Sequence, residues 1–207
     1  MVGWTHEEHP RESLAPLAPG QRARLTGADV SARVAWTEDA PAMAAVQVRA
    51  WRTSYAGLLP AEVLEGLDQD QVAEGWRLAL ARPTDARNRV LVALERNLVT
   101  GFLVTGPATD PDCDPVATGE LADLTVDPHK RGVGHGSRLL QAGADTLVAD
   151  RFERAVMWLP AADDALRAFL TSGGWGPDGA HRTLDLLGDG TTTLKQVRLH
   201  TALVDPS

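Results

Sequence analysis

The chain has 207 residues, 43% of them hydrophobic and 23% charged, which suits one soluble domain with room for a tail. Its formal charge of −8 argues against broad phosphate-backbone binding, so no nucleic-acid partner is expected, and the charge itself reads as solubility before partner choice. The single cysteine, Cys113, rules out an internal disulfide and a zinc cluster. No apolar run approaches the roughly 20 residues of a membrane span, and no hydrophobic leader opens the chain, which predicts a cytoplasmic protein without a membrane partner and without a metal.

Residues 1–31 are rich in Pro, Glu, Arg and Ala without a sustained period and read as an N-terminal extension, flexible or loosely attached; residues 32–207 read as one domain. The alternation Arg33-Val34-Ala35-Trp36-Thr37 predicts a short strand. Asp39 offers a cap and Pro41 a first turn for a helix carrying Ala44, Val48, Trp51 and Tyr55 and ending at Gly57. Helical stretches follow from Pro60 and over 69–80. Arg89–Glu95 and Leu98–Val104, separated by Arg96-Asn97, predict a hairpin. Beyond the Pro/Asp loop 107–115, where Cys113 reads as a bystander with acidic neighbours that raise its pKa, comes a long strand over 116–126. A helix to about Ala149, with Leu139, Leu140, Gly143 and Leu147 as its stripe, a strand over 155–159, a helix over 163–172 and strands near 181–187 and 194–203 complete a mixed α/β order.

The chemistry is concentrated in one segment. A strand ending at Val126-Asp127-Pro128 runs into Arg131-Gly132-Val133-Gly134-His135-Gly136-Ser137 and then into an amphipathic helix. Glycines keep side chains away from an approaching ligand, and the first amides of a helix have no internal partner and carry the positive dipole end. The combination suits a phosphate, with Arg131 adding a fixed charge. Ser137 stands where a dinucleotide fingerprint has its third glycine, and no Gly-Lys-Ser/Thr of a P-loop is present.

Arg131-x-x-Gly134-x-Gly136 after Val126-x-Pro128 resembles the pyrophosphate loop of the GNAT superfamily of acetyl-CoA-dependent N-acetyltransferases. Ala155–Leu159 is similar to that family's fifth strand, and residues 163–175 (Asp-Asp-Ala-Leu-Arg-Ala-Phe-Leu-Thr-Ser-Gly-Gly-Trp) to the helix after it; the likeness spans roughly 33–203 and is strongest over 116–176. It implies an α/β GNAT fold, a mixed, mostly antiparallel twisted sheet whose fourth and fifth strands splay apart, flanked by helices. It further implies acetyl-CoA as cosubstrate, without a metal, and an amine as acceptor, a small molecule or a peptide amino group. Pantetheine would pair with main-chain groups of Leu124, Thr125 and Val126, and the pyrophosphate would sit on the amides from Arg131 to Ser137, including those of Gly132, Val133, Gly134, His135 and Gly136. The His135 ring is expected in solvent, or at a phosphate. Asp163 or Asp164 stands near the family's pantetheine-contacting asparagine, where capping is the other reading, and Phe169 belongs to the same helix.

Glu120 occupies the position where many relatives carry a catalytic glutamate and is the expected base. Asp123 is the reserve, because strand alternation turns it to the other face unless a bulge intervenes. The helical tyrosine that usually protonates the leaving thiolate is Leu170 here, leaving Tyr55, the chain's one tyrosine, to shape the acceptor pocket or to donate that proton. The alternative on the same resemblance is a CoA-binding sensor or scaffold. Strands such as 194–203 often pair in relatives, which allows a homodimer.

Overall fold

The structure, a computed structural model, describes residues 30–204, so the expected extension lies almost wholly outside the described residues. Strand β1 begins at Val30, two residues ahead of the expected boundary, and runs to Val34. It lies upstream of the predicted 33–37 strand because Asp39 folds the chain back. The Asp39 carboxylate accepts from the Trp36 amide at 2.7 Å and from the Arg33 guanidinium at 2.6 and 2.9 Å, and residues 37–39 form a 3-10 turn. Asp39 therefore ties strand to helix rather than capping the helix amides, and Trp36 is left exposed.

Helix α1 spans Ala40–Ser54, ending three residues before the predicted stop; α2 is Ala61–Glu65, and α3, Gln69–Ala81, is capped by Asp68. Strands β2 (Arg89–Glu95) and β3 (Leu98–Pro107) close through Arg96 and Asn97, both at positive φ, the backbone a two-residue hairpin requires. Strand β4 is Thr118–Val126; the Asp114 carboxylate holds the Val116 amide in the preceding turn, which delays the predicted start. Helix α4 (His135–Ala149), β5 (Arg154–Pro160), α5 (Asp164–Ser172), β6 (Gly176–Asp185) and β7 (Thr193–Ala202) follow. The sixth strand starts five residues earlier than predicted.

The seven strands order as β1-β2-β3-β4-β5-β7-β6, every neighbour antiparallel except β4 and β5, which the α4 crossover makes parallel. Period-two alternation divides the apolar side chains between two layers. Leu91, Leu103, Leu121 and Met157 face Leu139 and Leu147 of α4, while Val90, Val92 and Phe102 face Met43 and Val46 of α1. Strand β7 is paired on both edges, by β5 and β6.

Helix α4 lies so close to the sheet that a Cβ on Gly143 would meet Leu103 Cδ2 at 2.5 Å and Leu121 Cδ2 at 3.0 Å. Gly143→Ala gains about 1 kcal/mol of helix propensity but must displace two packed leucines, at about 1–3 kcal/mol. We expect a net loss of stability in urea titration, whereas Gly75→Ala in α3, where a Cβ meets nothing, should stabilise.

Candidate active site

Parallel pairing of β4 with β5 lasts only from Thr118↔Arg154 to Glu120↔Val156. Beyond it the strands diverge, and a cleft of about 1550 Å³ opens between residues 123–126 of β4 and Met157, Trp158 and Pro160 of β5. The β5-facing edge of that β4 segment has no strand partner among the described residues, so main-chain groups of Leu124, Thr125 and Val126 border the opening.

One end of the cleft is built by the loop after β4. Asp127 pins it: its amide donates to the Thr100 carbonyl at 2.8 Å, and its buried carboxylate accepts from Arg49 of α1 and from the His129 amide. Burial pushes the Asp127 pKa up, but the Arg49 and His129 bonds outweigh it and hold the group below the usual carboxylate range. Gly132 and Gly134 then adopt φ of +78° and +93°, Gly134 as N-cap of α4. A Cβ on Gly132 would meet nothing within 4 Å, so glycine is needed there for its backbone angle, and the space beside it stays open. Gly136 differs: its Cβ would sit at ordinary distance from Phe169 and Val126. Arg131, Gly132, Gly134, Gly136 and Ser137 border the cleft, as do Lys130, Asp163 and Phe169.

One expectation at this end needs correction. The His135 side chain is neither in solvent nor at the cleft; it is 1% exposed and lies 3.6 Å from Glu95 Oε2, because the first turn of α4 directs it onto the sheet. Val133 points outward and does not border the cleft either, so these two residues have only main-chain groups to offer a ligand. Asp163 takes the capping role, accepting the Leu166 amide at 2.9 Å. Leu170 is wholly buried, on the core side of α5.

At the other end a β-bulge decides which carboxylate enters. Phe102 pairs with Thr125 but Val104 with Ala122, so Asp123 and Leu124 together oppose Leu103, and Asp123 takes φ +52°. The extra residue re-aims Asp123 into the cleft beside Tyr55, while Glu120 does not border it. Glu120 lies half-buried beside the cleft, accepting the Thr109 amide; burial, then the neighbouring Asp110 charge, raise its pKa. Asp123 is open to the cleft, yet the walls crowd it and strip bulk hydration, which raises its pKa as well. The Tyr55 hydroxyl is pushed up by burial and by the Asp123 charge, and its ring packs edge-on against Trp51 at 5.9 Å.

Three further residues were not among the expected site residues. Lys130 reaches the cleft and pairs with Glu95 at 2.8 Å. Trp158 forms a wall, its indole donating to Asp110 at 2.7 Å. Arg198, buried 86 residues downstream of Asp112, gathers the loop between β3 and β4; Cys113 of that loop is half-buried with Sγ 3.4 Å from Arg198. Burial raises the Cys113 thiol pKa first, ahead of its acidic neighbours.

The parallel fourth and fifth strands fork over a glycine-rich helix start, and the comparisons identify the family. The sequence pattern of the Acetyltransferase (GNAT) family matches residues 48–173. The chain is 28% identical over 131 residues to the uncharacterized N-acetyltransferase YuaI of Bacillus subtilis (strain 168), covering 63% of this chain and 71% of that protein. Its fold is similar to an N-acetyltransferase from Staphylococcus aureus Mu50 (TM-score 0.64, 21% identity, 84% of this chain and 99% of that one). It is also similar to YncA from Salmonella typhimurium, solved with its cofactor acetyl-CoA (TM-score 0.60, 20% identity, 86% and 96%). The chain belongs to the GNAT family of acetyltransferases and is an acyltransferase. None of its described helices is long and apolar enough to cross a membrane.

Proposed function

We propose that the chain, acting in the cytoplasm, transfers the acetyl group of acetyl-CoA to a primary amine by direct attack in a ternary complex. The observation that carries this reading is the fork itself: amides of a helix start at one end, a carboxylate and a phenol at the other, and unpaired strand edge between. The amides of residues 131–137, with Lys130 and Arg131 beside them, suit the pyrophosphate, and the open space at Gly132 leaves room for it. The free edge of Leu124–Val126 suits the pantetheine amides, and Phe169 closes the side toward α5.

An ammonium has no lone pair, and its ordinary pKa of about 10.4 leaves few neutral amines at pH 7. Asp123 attracts the cation and takes its proton; burial, which makes this carboxylate a stronger base, favours the transfer. The nitrogen then forms the N–C bond as the C–S bond breaks, and the second proton it loses on becoming an amide returns through water to replace the one Tyr55 gives the thiolate. The departing thiolate needs a proton, and Tyr55, held protonated by its raised pKa, supplies it in place of the donor that Leu170 lacks. Glu120 stands behind Asp123 and relays the proton outward through water.

Calorimetric titration with acetyl-CoA followed by thiol release against a panel of primary amines tests the reading. We expect saturable binding and amine-dependent thiol release. Binding without release would leave a CoA sensor; absence of binding would refute the fork as a CoA site.

A further inference from the structure

Among the described residues outside the cleft, charges concentrate where the loop between β3 and β4 meets β5, β6 and β7. Arg198 of β7, with its side chain 5% exposed, is held by three carboxylates. It donates to Asp112 at 2.5 and 2.8 Å, to Asp178 of β6 at 2.8 Å and to Asp110 at 3.2 Å. The fork on Arg198 keeps Asp112 down at about 2, and the three carboxylates hold the guanidinium firmly charged. Asp178 takes a second cation, Arg154, at 2.9 Å. The group Asp110, Asp112 and Cys113 brings three ligand-type atoms together, but Arg198 already supplies the positive charge there.

Desolvating so many charges gives little net stability over an apolar cluster of similar volume, so the arrangement is better explained by the geometry it fixes. That geometry converges on Trp158. The same Asp110 oxygen that accepts from Arg198 accepts the Trp158 indole N–H at 2.7 Å, which sets the plane of the ring. The guanidinium of Arg182 covers the indole, 4.3 Å from its centroid, while its Nε donates to Gln196 at 2.7 Å. Both Trp158 and Gln196 border the cleft. Trp158 stands two residues past Val156, the last partner of β4, and Asp123 three residues past Glu120, so ring and carboxylate flank the fork where the strands part. Trp51 and Tyr55 border the same opening.

Resting on the acetyl-transfer reading, we infer that Arg198 and Asp110 are positioning residues. They fix the Trp158 indole as a rigid acceptor-side wall, which selects primary amines carried on a flat, apolar body. Asp123 holds the ammonium, and the fixed aromatic face receives the carbon skeleton next to it. A ring locked at its N–H edge and covered by Arg182 loses no rotamer freedom when an acceptor stacks on it, so aromatic contact is expressed as selectivity.

The test compares 2-phenylethylamine with propylamine as acceptors. Wild type should favour the aryl amine by ~10-fold or more in kcat/KM. Asp110→Ala and Trp158→Phe should each cut that ratio several-fold through the aryl KM, and the double variant should be no worse than either single one, because both break the same bond. Asp110→Asn, which keeps an acceptor for the indole, should recover part of the ratio. In 15N spectra the indole N–H peak that Trp158→Phe removes should move in Asp110→Ala; this readout needs no turnover and reports the bond directly. A ratio unchanged in both singles, additive effects in the double, an unmoved indole peak, or wild type that releases thiol with propylamine and not with the aryl amine would each overturn the assignment. Should Asp110→Ala fail to fold, Trp158→Phe, which leaves the ion cluster intact, carries the kinetic arm alone. Failure of the acetyl-transfer reading is seen separately, as loss of acetyl-CoA binding in wild type.

Discussion

Replacing Gly134 with valine should lower acetyl-CoA affinity by ~100-fold or more while the protein stays folded, as titration calorimetry alongside circular dichroism would read. Gly134 is the N-cap of α4 at φ +93°. A β-branched residue is a rare outlier at positive φ, and holding one there costs about 1–3 kcal/mol. The new Cβ would also stand 3.3 Å from Arg138 Nη1, a flexible side-chain end that can move. Stability falls by a fraction of the usual 5–15 kcal/mol, so the fold survives. The loop, however, relieves the strain by rotating its peptides, and those peptides carry the amides to which the proposed function assigns the pyrophosphate. Several charge-assisted bonds, at about 1.5–3 kcal/mol each, are lost together. Gly136→Ala is the control within the same motif. Its Cβ would sit 3.7 Å from Phe169 and 3.8 Å from Val126, ordinary contacts at a helical φ, so affinity should change far less. Full affinity in Gly134→Val would mean that the loop amides do not hold the cofactor.

The sequence made one end of this site readable and hid most of the other. The phosphate end is local: strand end, glycines and helix start lie within one short stretch, and their backbone requirements leave their mark on residue type. Hairpin and helix periods were readable for the same reason, since Arg96-Asn97 and the stripe of α4 are short-range features. The bulge was not. Nothing in Glu120–Val126 distinguishes a strand with one extra residue from a regular one, because the insertion is defined against Leu103 of the neighbouring strand. The family resemblance put Glu120 ahead of Asp123 and kept Asp123 in reserve against a bulge in this strand, and such a bulge brings Asp123 into the cleft. His135 failed similarly: a polar residue beside a phosphate loop reads as exposed, but its place in the first turn of α4 turns it toward Glu95. The Arg198 cluster joins residues from a loop and three strands, which no spacing rule connects.

Asp123→Asn should reduce kcat by ~10²-fold or more with acetyl-CoA affinity within about 2-fold of wild type, the loss general-base removal typically causes. Asparagine is the right probe because, like aspartate, it tolerates the left-handed backbone that the bulge imposes at φ +52°. The bulge and cleft shape are kept, and only the capacity to accept a proton is lost. The pH profile separates this from mere loss of attraction for the ammonium. Burial raises the Asp123 pKa, so the carboxylate form populates only as pH rises through that raised value, and wild-type kcat/KM must fall as pH drops through it. In Asp123→Asn that acidic limb should vanish, leaving a slow rate that climbs with pH as the free-amine fraction grows. Glu120→Gln should act more weakly, below ~10-fold, because Glu120 does not border the cleft and the proposed relay reaches it only by way of water. Its acidic limb should persist, because the raised Asp123 pKa comes from desolvation, which the substitution leaves in place. The two variants thus oppose each other in the same experiment. A deep kcat loss in Glu120→Gln together with an intact acidic limb in Asp123→Asn would transfer the base to Glu120 and leave Asp123 as an anchor for the cation.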